Sequence, residues 1–232
     1  MAEKICWICE INPADSGEHI IKKSVLDKIF GKYEKGKYRY LSHVGGRKNI
    51  LIQSHNSKIF KFRKSICSQC NGDLTQPHDI SFSTFIDNIF DKETTIVSRQ
   101  KIHLGSMTNK NDATRTGVAL YLLKIFGCLL IEKDIQIDDA DFKRLRDSIT
   151  SDRVYIENVH IAFHRDIKKL ALGGRKRVAQ SSSATEQAVH WTIDIGWLSM
   201  IISYPIAMSD EKFGQAWTLN DDIQIIKVGK LT

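Results

Sequence analysis

The chain has 232 residues, of which 42% are hydrophobic and 26% charged, an ordinary composition for a globular protein. The sequence contains no run of about 18 apolar residues, so we expect no membrane-spanning helix. No apolar signal segment opens the sequence, and we expect a cytoplasmic, reducing location in which paired cysteines favour metal binding over disulfides.

The first 78 residues alternate short predicted strands and helices around two cysteine pairs. Apolar residues at helical spacing predict a helix over 20–30, which Gly31 would end. Short strands are predicted at 38–41 and 49–53. The alternating segment 59–66 predicts a strand leading into the second cysteine pair, and a helix is expected to begin near Asn71.

The rest of the chain mixes both element types. Apolar spacing predicts helices over 82–90, 113–131 and 139–149, and strands over 94–104, 154–163, 189–202 and 223–228. The basic stretch Gly173–Arg177 and the serine-rich residues 181–185 predict a flexible loop, either a DNA contact or a mobile insertion. The expected fold class is α+β, with one domain over 1–78 and a second over 79–232.

Four cysteines stand in two CxxC pairs. Such pairs supply a tetrahedral set of soft ligands, which suits a structural zinc ion. The fifth cysteine, Cys128, lies in an apolar run and is predicted to be a core residue. The predicted zinc ligands are Cys6, Cys9, Cys67 and Cys70.

A second group of residues suits phosphodiester chemistry. Glu18 and His19 follow the first cysteine pair, and Asn71 directly follows the second. A carboxylate and an amide oxygen are hard ligands for Mg²⁺, and histidine is the side chain whose ordinary pKa suits a general base near neutral pH. Together they favour metal-assisted attack of water on a phosphodiester.

In this order, the motifs CxxC, Glu-His-Ile and CxxC-Asn resemble the zinc-knuckled branch of the HNH nucleases, also called His-Me finger or ββα-metal nucleases. The resemblance covers residues 6–79. It implies that His19 is the general base, and that Glu18 and Asn71 bind a catalytic Mg²⁺ or Mn²⁺ ion. His78 and Asp79 are the nearby candidates for a third ligand. The segment 60–66 lacks the asparagine that orients the base in many members.

The basic charge is concentrated between the two cysteine pairs. Residues 28–64 contain eleven Lys or Arg and one Glu, within a chain whose net charge is +7. Such a segment is either a solvated surface or a contact with nucleic-acid phosphates, and its position beside the predicted site favours the second. The predicted contact residues are Lys58, Lys61, Arg63, Lys64, Arg47 and Lys48.

These features predict a metal-dependent endonuclease that acts on DNA. The second domain would supply target choice, regulation or dimerisation, which leaves a homodimer open. By analogy alone, restriction or another defence against foreign DNA fits such an enzyme. The rival interpretation is a non-catalytic, zinc-stabilised nucleic-acid-binding protein. An RNA nuclease is a third interpretation, since Tyr33, Tyr38 and Tyr40 could stack on bases.

Overall fold

The structure is a computed structural model that mixes helices with a largely antiparallel sheet, which confirms the α+β class. Among the residues described here, no helix is both long and apolar enough to span a bilayer. The described residues are 4–32, 39–40, 51–52, 54–103, 112–166, 178–185, 188–205, 217–218, 225–227 and 229–231.

The helices are α1 (Lys23–Phe30), α2 (Gln76–Asp91), α3 (Glu93–Arg99), α4 (Asp112–Lys133) and α5 (Asp139–Ser151). A 3-10 helix covers Lys58–Phe60, and a π-helical turn covers Cys70–Leu74. The strands are β1 (Arg39–Tyr40), β2 (Leu51–Ile52), β3 (Lys101–His103), β4 (His160–Asp166), β5 (Val178–Ala184), β6 (Val189–Ile195), β7 (Leu198–Tyr204), β8 (Trp217–Thr218), β9 (Ile225–Lys227) and β10 (Gly229–Leu231).

The chain divides into two compact units, each made of separate stretches of sequence. The first unit comprises Met1–Lys22, Lys58–Asp91 and Leu104–Glu157, and the second comprises Lys23–Ser57, Lys92–His103 and Asn158–Thr232. The domain boundary predicted after residue 78 falls inside α2. The two CxxC pairs therefore belong to the same unit as α2, α4 and α5.

The core of the first unit forms between α2 and α4. The rings of Phe82 and Tyr121 stack with their centroids 4.0 Å apart, and both side chains are buried. Helix α4 is buried on all sides from Val118 to Leu130, where Lys124 is the one charged residue, as the sequence predicts for a buried helix, and Cys128 lies fully buried within it. The prediction that Cys128 is a core residue is confirmed.

A tryptophan of the first cysteine pair packs against α4. The indole of Trp7 lies over Gly127 so closely that a side-chain carbon at Gly127 would collide with the ring. The ring of Trp7 also lies beside that of Phe142 of α5, with 5.7 Å between ring centroids. The first CxxC pair is thus fixed to the core of its unit by apolar packing.

The second unit is built on a sheet of strand order β10-β4-β7-β6-β5, in which β8 also pairs with β4. Strands β6 and β7 form a hairpin through Gly196 and Trp197, where Gly196 has a φ of 59°. Nearly every residue of β7 is buried, as expected for a strand with a neighbour on each side. The single strand predicted over 189–202 is therefore two strands joined by a turn.

Two local predictions were wrong because tertiary packing overrode local preference. The strand predicted over 94–104 is present only at Lys101–His103, as β3. The β-branched run before it is helix α3, which buries Ile96 and ends where Gln100 adopts a φ of 56°. The serines of 181–184 predicted a flexible loop, but they belong to β5, whose backbone pairs with β6. Gly173–Arg177 lies outside the described residues.

Candidate metal centre and adjoining histidine

The two CxxC pairs meet in the first unit. All four sulfur atoms lie within 4.8 Å of one another, and Sγ of Cys9 is 3.9 Å from Sγ of Cys67. Four sulfurs at about 2.3 Å from a central zinc would lie about 3.8 Å apart, so the spacing suits a tetrahedral ion. Within the described ranges, these cysteines are the one group of three or more Cys, His, Asp or Glu side chains placed so closely.

Backbone N–H groups make a close contact within each CxxC pair. The N–H of Glu10 donates to the carbonyl of Cys6 across the first pair, and the N–H of Cys70 points at Sγ of Cys67 from 3.4 Å across the second. Burial opposes ionisation of Cys9, but backbone N–H groups of Asn12 and Ile11 lower its pKa to about 7. Burial raises the pKa of Cys6 and, with the neighbouring thiols, that of Cys70. Thiols this close would ionise together only around a cation.

His19 is positioned by two extended segments that run antiparallel. The N–H of Ile20 donates to the carbonyl of Phe60 at 2.7 Å, and the N–H of Phe62 donates to the carbonyl of Glu18 at 2.9 Å. Lys61 is therefore the direct partner of His19 across this pair of segments. Gly17 lets the segments come this close, because a Cβ there would lie 2.6 Å from the carbonyl oxygen of Phe62.

The second of these two segments contains residues 59–66, which do not form the continuous strand that was predicted. Its first residues belong to the 3-10 helix Lys58–Phe60, and only Lys61 and Ile66 form bridges. The predicted alternation holds only as far as Phe62: Phe60 and Phe62 are buried, but Lys64, predicted on the same side, is exposed and Ser65 is buried. The helix predicted near Asn71 begins as the π-helical turn, and α2 follows with Pro77 in its first turn.

His19 itself has the properties of a neutral base. Its Nε2 atom is buried and has no hydrogen-bond partner among the described residues. Burial lowers the pKa of His19 from its ordinary value, and the positive charges of Lys61 and Lys22 lower it further against the attraction of Glu18. The imidazole is therefore uncharged at neutral pH, and a neutral ring nitrogen can accept a proton.

Glu18 occupies a different environment, because its carboxylate is buried and fully engaged. Its Oε2 atom accepts a hydrogen bond from Nζ of Lys124 at 2.8 Å. Its Oε1 atom accepts from the backbone N–H of His19, also at 2.8 Å. The side chain of Lys124 is 0% exposed and that of Glu18 is 5% exposed, so this ion pair lies in the protein interior.

A second carboxylate completes the ion cluster around Lys124. Nζ of Lys124 donates to Oδ1 of Asp79 at 2.7 Å and to Oγ1 of Thr75 at 3.3 Å. Nζ of Lys22 lies 3.5 Å from Oδ2 of Asp79, at the edge of the cluster. Burial disfavours the charge on Lys124, but attraction to Glu18 and Asp79 outweighs burial and raises its pKa.

The other two predicted ligands of a catalytic cation also have protein partners. Nδ2 of Asn71 donates to Oγ of Ser16 at 2.9 Å, while its Oδ1 atom is buried without a partner among the described residues. Nε2 of His78 lies 2.9 Å from Oδ1 of Asp152, and its Nδ1 atom is similarly unsatisfied. Neither residue offers a negative charge to a metal ion.

The predicted phosphate contacts differ in their surroundings. Lys58 and Lys64 are exposed, and Lys61 is half-buried. The guanidinium of Arg63 is held against the C-terminal end of α4, where its Nε atom donates to Oε2 of Glu132 at 3.1 Å and its Nη2 atom donates to the carbonyl of the same residue. Arg47 and Lys48 lie outside the described residues.

Sequence reasoning did not identify Lys124 or its partner Asp79 as members of an ion cluster. The only signal was a lone lysine in the apolar run Leu122–Phe126. A charge in a buried helix needs a partner of opposite sign, so Lys124 indicated that carboxylates from elsewhere in the chain would meet it.

Comparison of the chain with protein-family models, with curated proteins and with solved structures gives no match.

Proposed function

We propose that this chain is an endonuclease of the HNH type, which hydrolyses DNA phosphodiester bonds with His19 as its general base. The observation that carries the proposal is the environment of His19. This residue is uncharged, retains an unsatisfied Nε2 atom, and lies opposite Lys61 on a pair of segments adjoining the cysteine cluster. A neutral base beside a cation is what attack on a phosphodiester requires.

In this proposal, each group has a separate role. Zinc bound by the four cysteines fixes the ends of the paired segments and is structural. His19 accepts a proton from the attacking water, while Lys61 faces the negative charge that develops on the phosphate. The exposed side chains of Lys58 and Lys64 contact the DNA backbone on either side.

The catalytic Mg²⁺ or Mn²⁺ that the resemblance implies does not fit the arrangement of its expected ligands. Such ions are held mainly by carboxylates, and both oxygens of Glu18 are occupied. The unsatisfied atoms of Asn71 and His78 are neutral. We therefore assign no step of the reaction to a divalent cation.

The occupied oxygens of Glu18 favour a second candidate function, a zinc-stabilised protein that binds nucleic acid without cleaving it. A closed ion cluster at Glu18 and Asp79 serves stability in either case. This rival would retain the cysteine cluster and the exposed lysines, but it would make no use of the unsatisfied nitrogen of His19.

One experiment separates the two candidates. Purified full-length protein is incubated with plasmid DNA in metal-depleted buffer, with Mg²⁺ and with Mn²⁺, and the zinc content of each sample is measured. Nicked or linear products with defined ends support the nuclease. Retarded DNA without product, in every buffer and with zinc retained, supports the binding protein. A parallel reaction with single-stranded RNA tests the third interpretation.

A further inference from the structure

We infer that the buried ammonium of Lys124 takes the place of a divalent cation between Glu18 and Asp79, so that this cluster binds neither Mg²⁺ nor Mn²⁺. The positive charge that holds these carboxylates together is then part of the chain itself. The statement about metal binding is independent of the proposed activity, and only its consequence for catalysis rests on the proposed function.

The hydrogen bonds of Lys124 support this inference. An ammonium group has three donors, and three oxygen acceptors surround this one: Oε2 of Glu18, Oδ1 of Asp79 and Oγ1 of Thr75. Its donors are therefore all matched. A divalent cation at this position would have to displace a lysine whose side chain is wholly enclosed by protein.

The charges also balance without an added ion. Two carboxylates, Glu18 and Asp79, are opposed by two ammonium groups, Lys124 and Lys22. Both ammonium groups also lie 5.4 Å from the centre of the Tyr121 ring, whose face attracts cations. A divalent cation added between the buried Lys124 and Glu18 of this neutral cluster would bring unbalanced charge into the interior.

Lys124 cannot touch a substrate, because none of its side chain is exposed. It acts through Glu18, whose second carboxylate oxygen accepts a hydrogen bond from the backbone N–H of His19. Lys124 is therefore a positioning residue: it fixes Glu18, and Glu18 fixes the backbone from which the imidazole projects. A nuclease built this way would cleave without a divalent cation at these carboxylates.

The direct test is a Mn²⁺ titration of the zinc-loaded, full-length protein, followed by the electron paramagnetic resonance signal of unbound Mn²⁺. We expect the wild type and Glu18→Gln to give the same isotherm. Lys124→Met should gain one Mn²⁺ site, and the double variant Glu18→Gln/Lys124→Met should lose it again. Lys143→Met is the matched control, because it removes a lysine from an exposed ion pair with Asp147 and should gain nothing.

Two results would overturn the inference. One is a Mn²⁺ site in the wild type that Glu18→Gln removes. The other is a folded Lys124→Met protein that gains no Mn²⁺ site, which would mean that the carboxylates do not form a cation site at all. If Lys124→Met does not fold, the comparison of the wild type with Glu18→Gln still decides.

Cleavage assays distinguish failure of this inference from failure of the proposed function. We expect wild-type cleavage to proceed at the same rate in metal-depleted buffer and with added Mg²⁺, with zinc retained in both. Cleavage that depends on Mg²⁺ would overturn the consequence for catalysis and leave the nuclease proposal standing. If no buffer supports cleavage, the nuclease proposal fails. The Mn²⁺ titration then remains the test of whether Lys124 excludes divalent cations from Glu18 and Asp79.

Discussion

Nζ of Lys124 lies 2.8 Å from Oε2 of Glu18, although 106 residues separate the two in the sequence. The contact joins the middle of helix α4 to the segment that carries His19. Because both side chains are almost completely buried, neither charge can be satisfied by water if the other is removed. The position of the proposed catalytic histidine thus depends on an ion pair with a residue far along the sequence.

The first prediction concerns the stability of this ion pair. Lys124→Met should lower the free energy of unfolding by about 3–5 kcal/mol, since it leaves two carboxylates without their buried cation. Lys143→Met should cost less than about 1 kcal/mol, because that pair is exposed to solvent. Urea denaturation of both variants measures the difference. Similar small losses would show that the Lys124 pair contributes no more than a surface pair.

The second prediction concerns the four cysteines. About one zinc ion should co-purify with each chain, and Cys67→Ser should lose it together with a large part of the stability of the first unit, because structural zinc contributes on the order of 10 kcal/mol of apparent binding free energy. Elemental analysis and thermal unfolding measure both effects. Cys128→Ala is the control: its thiol lies outside the cluster, so zinc should be retained. A folded wild type without metal would contradict the prediction.

The third prediction concerns His19 as general base. His19→Ala should abolish cleavage and leave DNA affinity almost unchanged, because the base acts on the reaction barrier and not on phosphate contacts. His103→Ala, which changes an exposed histidine of the second unit, should retain activity. Since the pKa of His19 lies below its ordinary value of 6.5, wild-type activity should hold at pH 6.5 and fall only in more acidic buffer. Activity of His19→Ala close to the wild-type level would exclude this role.

The fourth prediction concerns the pH dependence of stability. Burial in β4 lowers the pKa of His164 below 6.5, so below that pH the unfolded chain binds more protons than the folded one. Stability should therefore be lost as pH falls below 6.5, with this histidine contributing at most about 1.4 kcal/mol per pH unit. His164→Gln should reduce the slope of unfolding free energy against pH. An unchanged slope would assign the acid sensitivity to other groups.

The fifth prediction concerns the lysines before the second cysteine pair. Replacing Lys58, Lys61 and Lys64 by Gln should weaken binding to all DNA sequences alike and flatten its salt dependence, by about 0.9 log units of slope for each phosphate that is no longer neutralised. The matched control replaces three exposed lysines of the same unit, Lys4, Lys133 and Lys143, and should retain the wild-type slope. Equal slopes for both triple variants would show that Lys58, Lys61 and Lys64 contact solvent and not DNA phosphates.

Arg63 is left out of that triple variant because it has a structural partner. Its backbone N–H and its Nε atom both donate to Oε2 of Glu132. Replacing it would disturb the packing of its segment against α4 as well as any phosphate contact, so its effect on binding could not be interpreted alone.

Local sequence patterns determined several features of this protein. The CxxC spacing identified four cysteines whose sulfurs the fold brings within 4.8 Å, because two residues between cysteines place both thiols on one turn of backbone. A long apolar run identified α4, and alternation identified the inward side of the segment with Phe60 and Phe62. The role of His19 as general base remains a prediction, whereas a cation-binding role for Glu18 and Asn71 does not fit the contacts that occupy both oxygens of Glu18.

Tertiary structure decided what local patterns cannot encode. The run at 94–97 favours a strand by its β-branched residues, yet packing of Ile96 makes it helical. The serines of β5 gain order from the backbone of β6, which no property of the serines indicates. Above all, Glu18 has the residue type of a metal ligand, but the fold pairs it with Lys124. Which charge neutralises a buried carboxylate depends on which distant segment the fold brings beside it, and only the folded chain determines that.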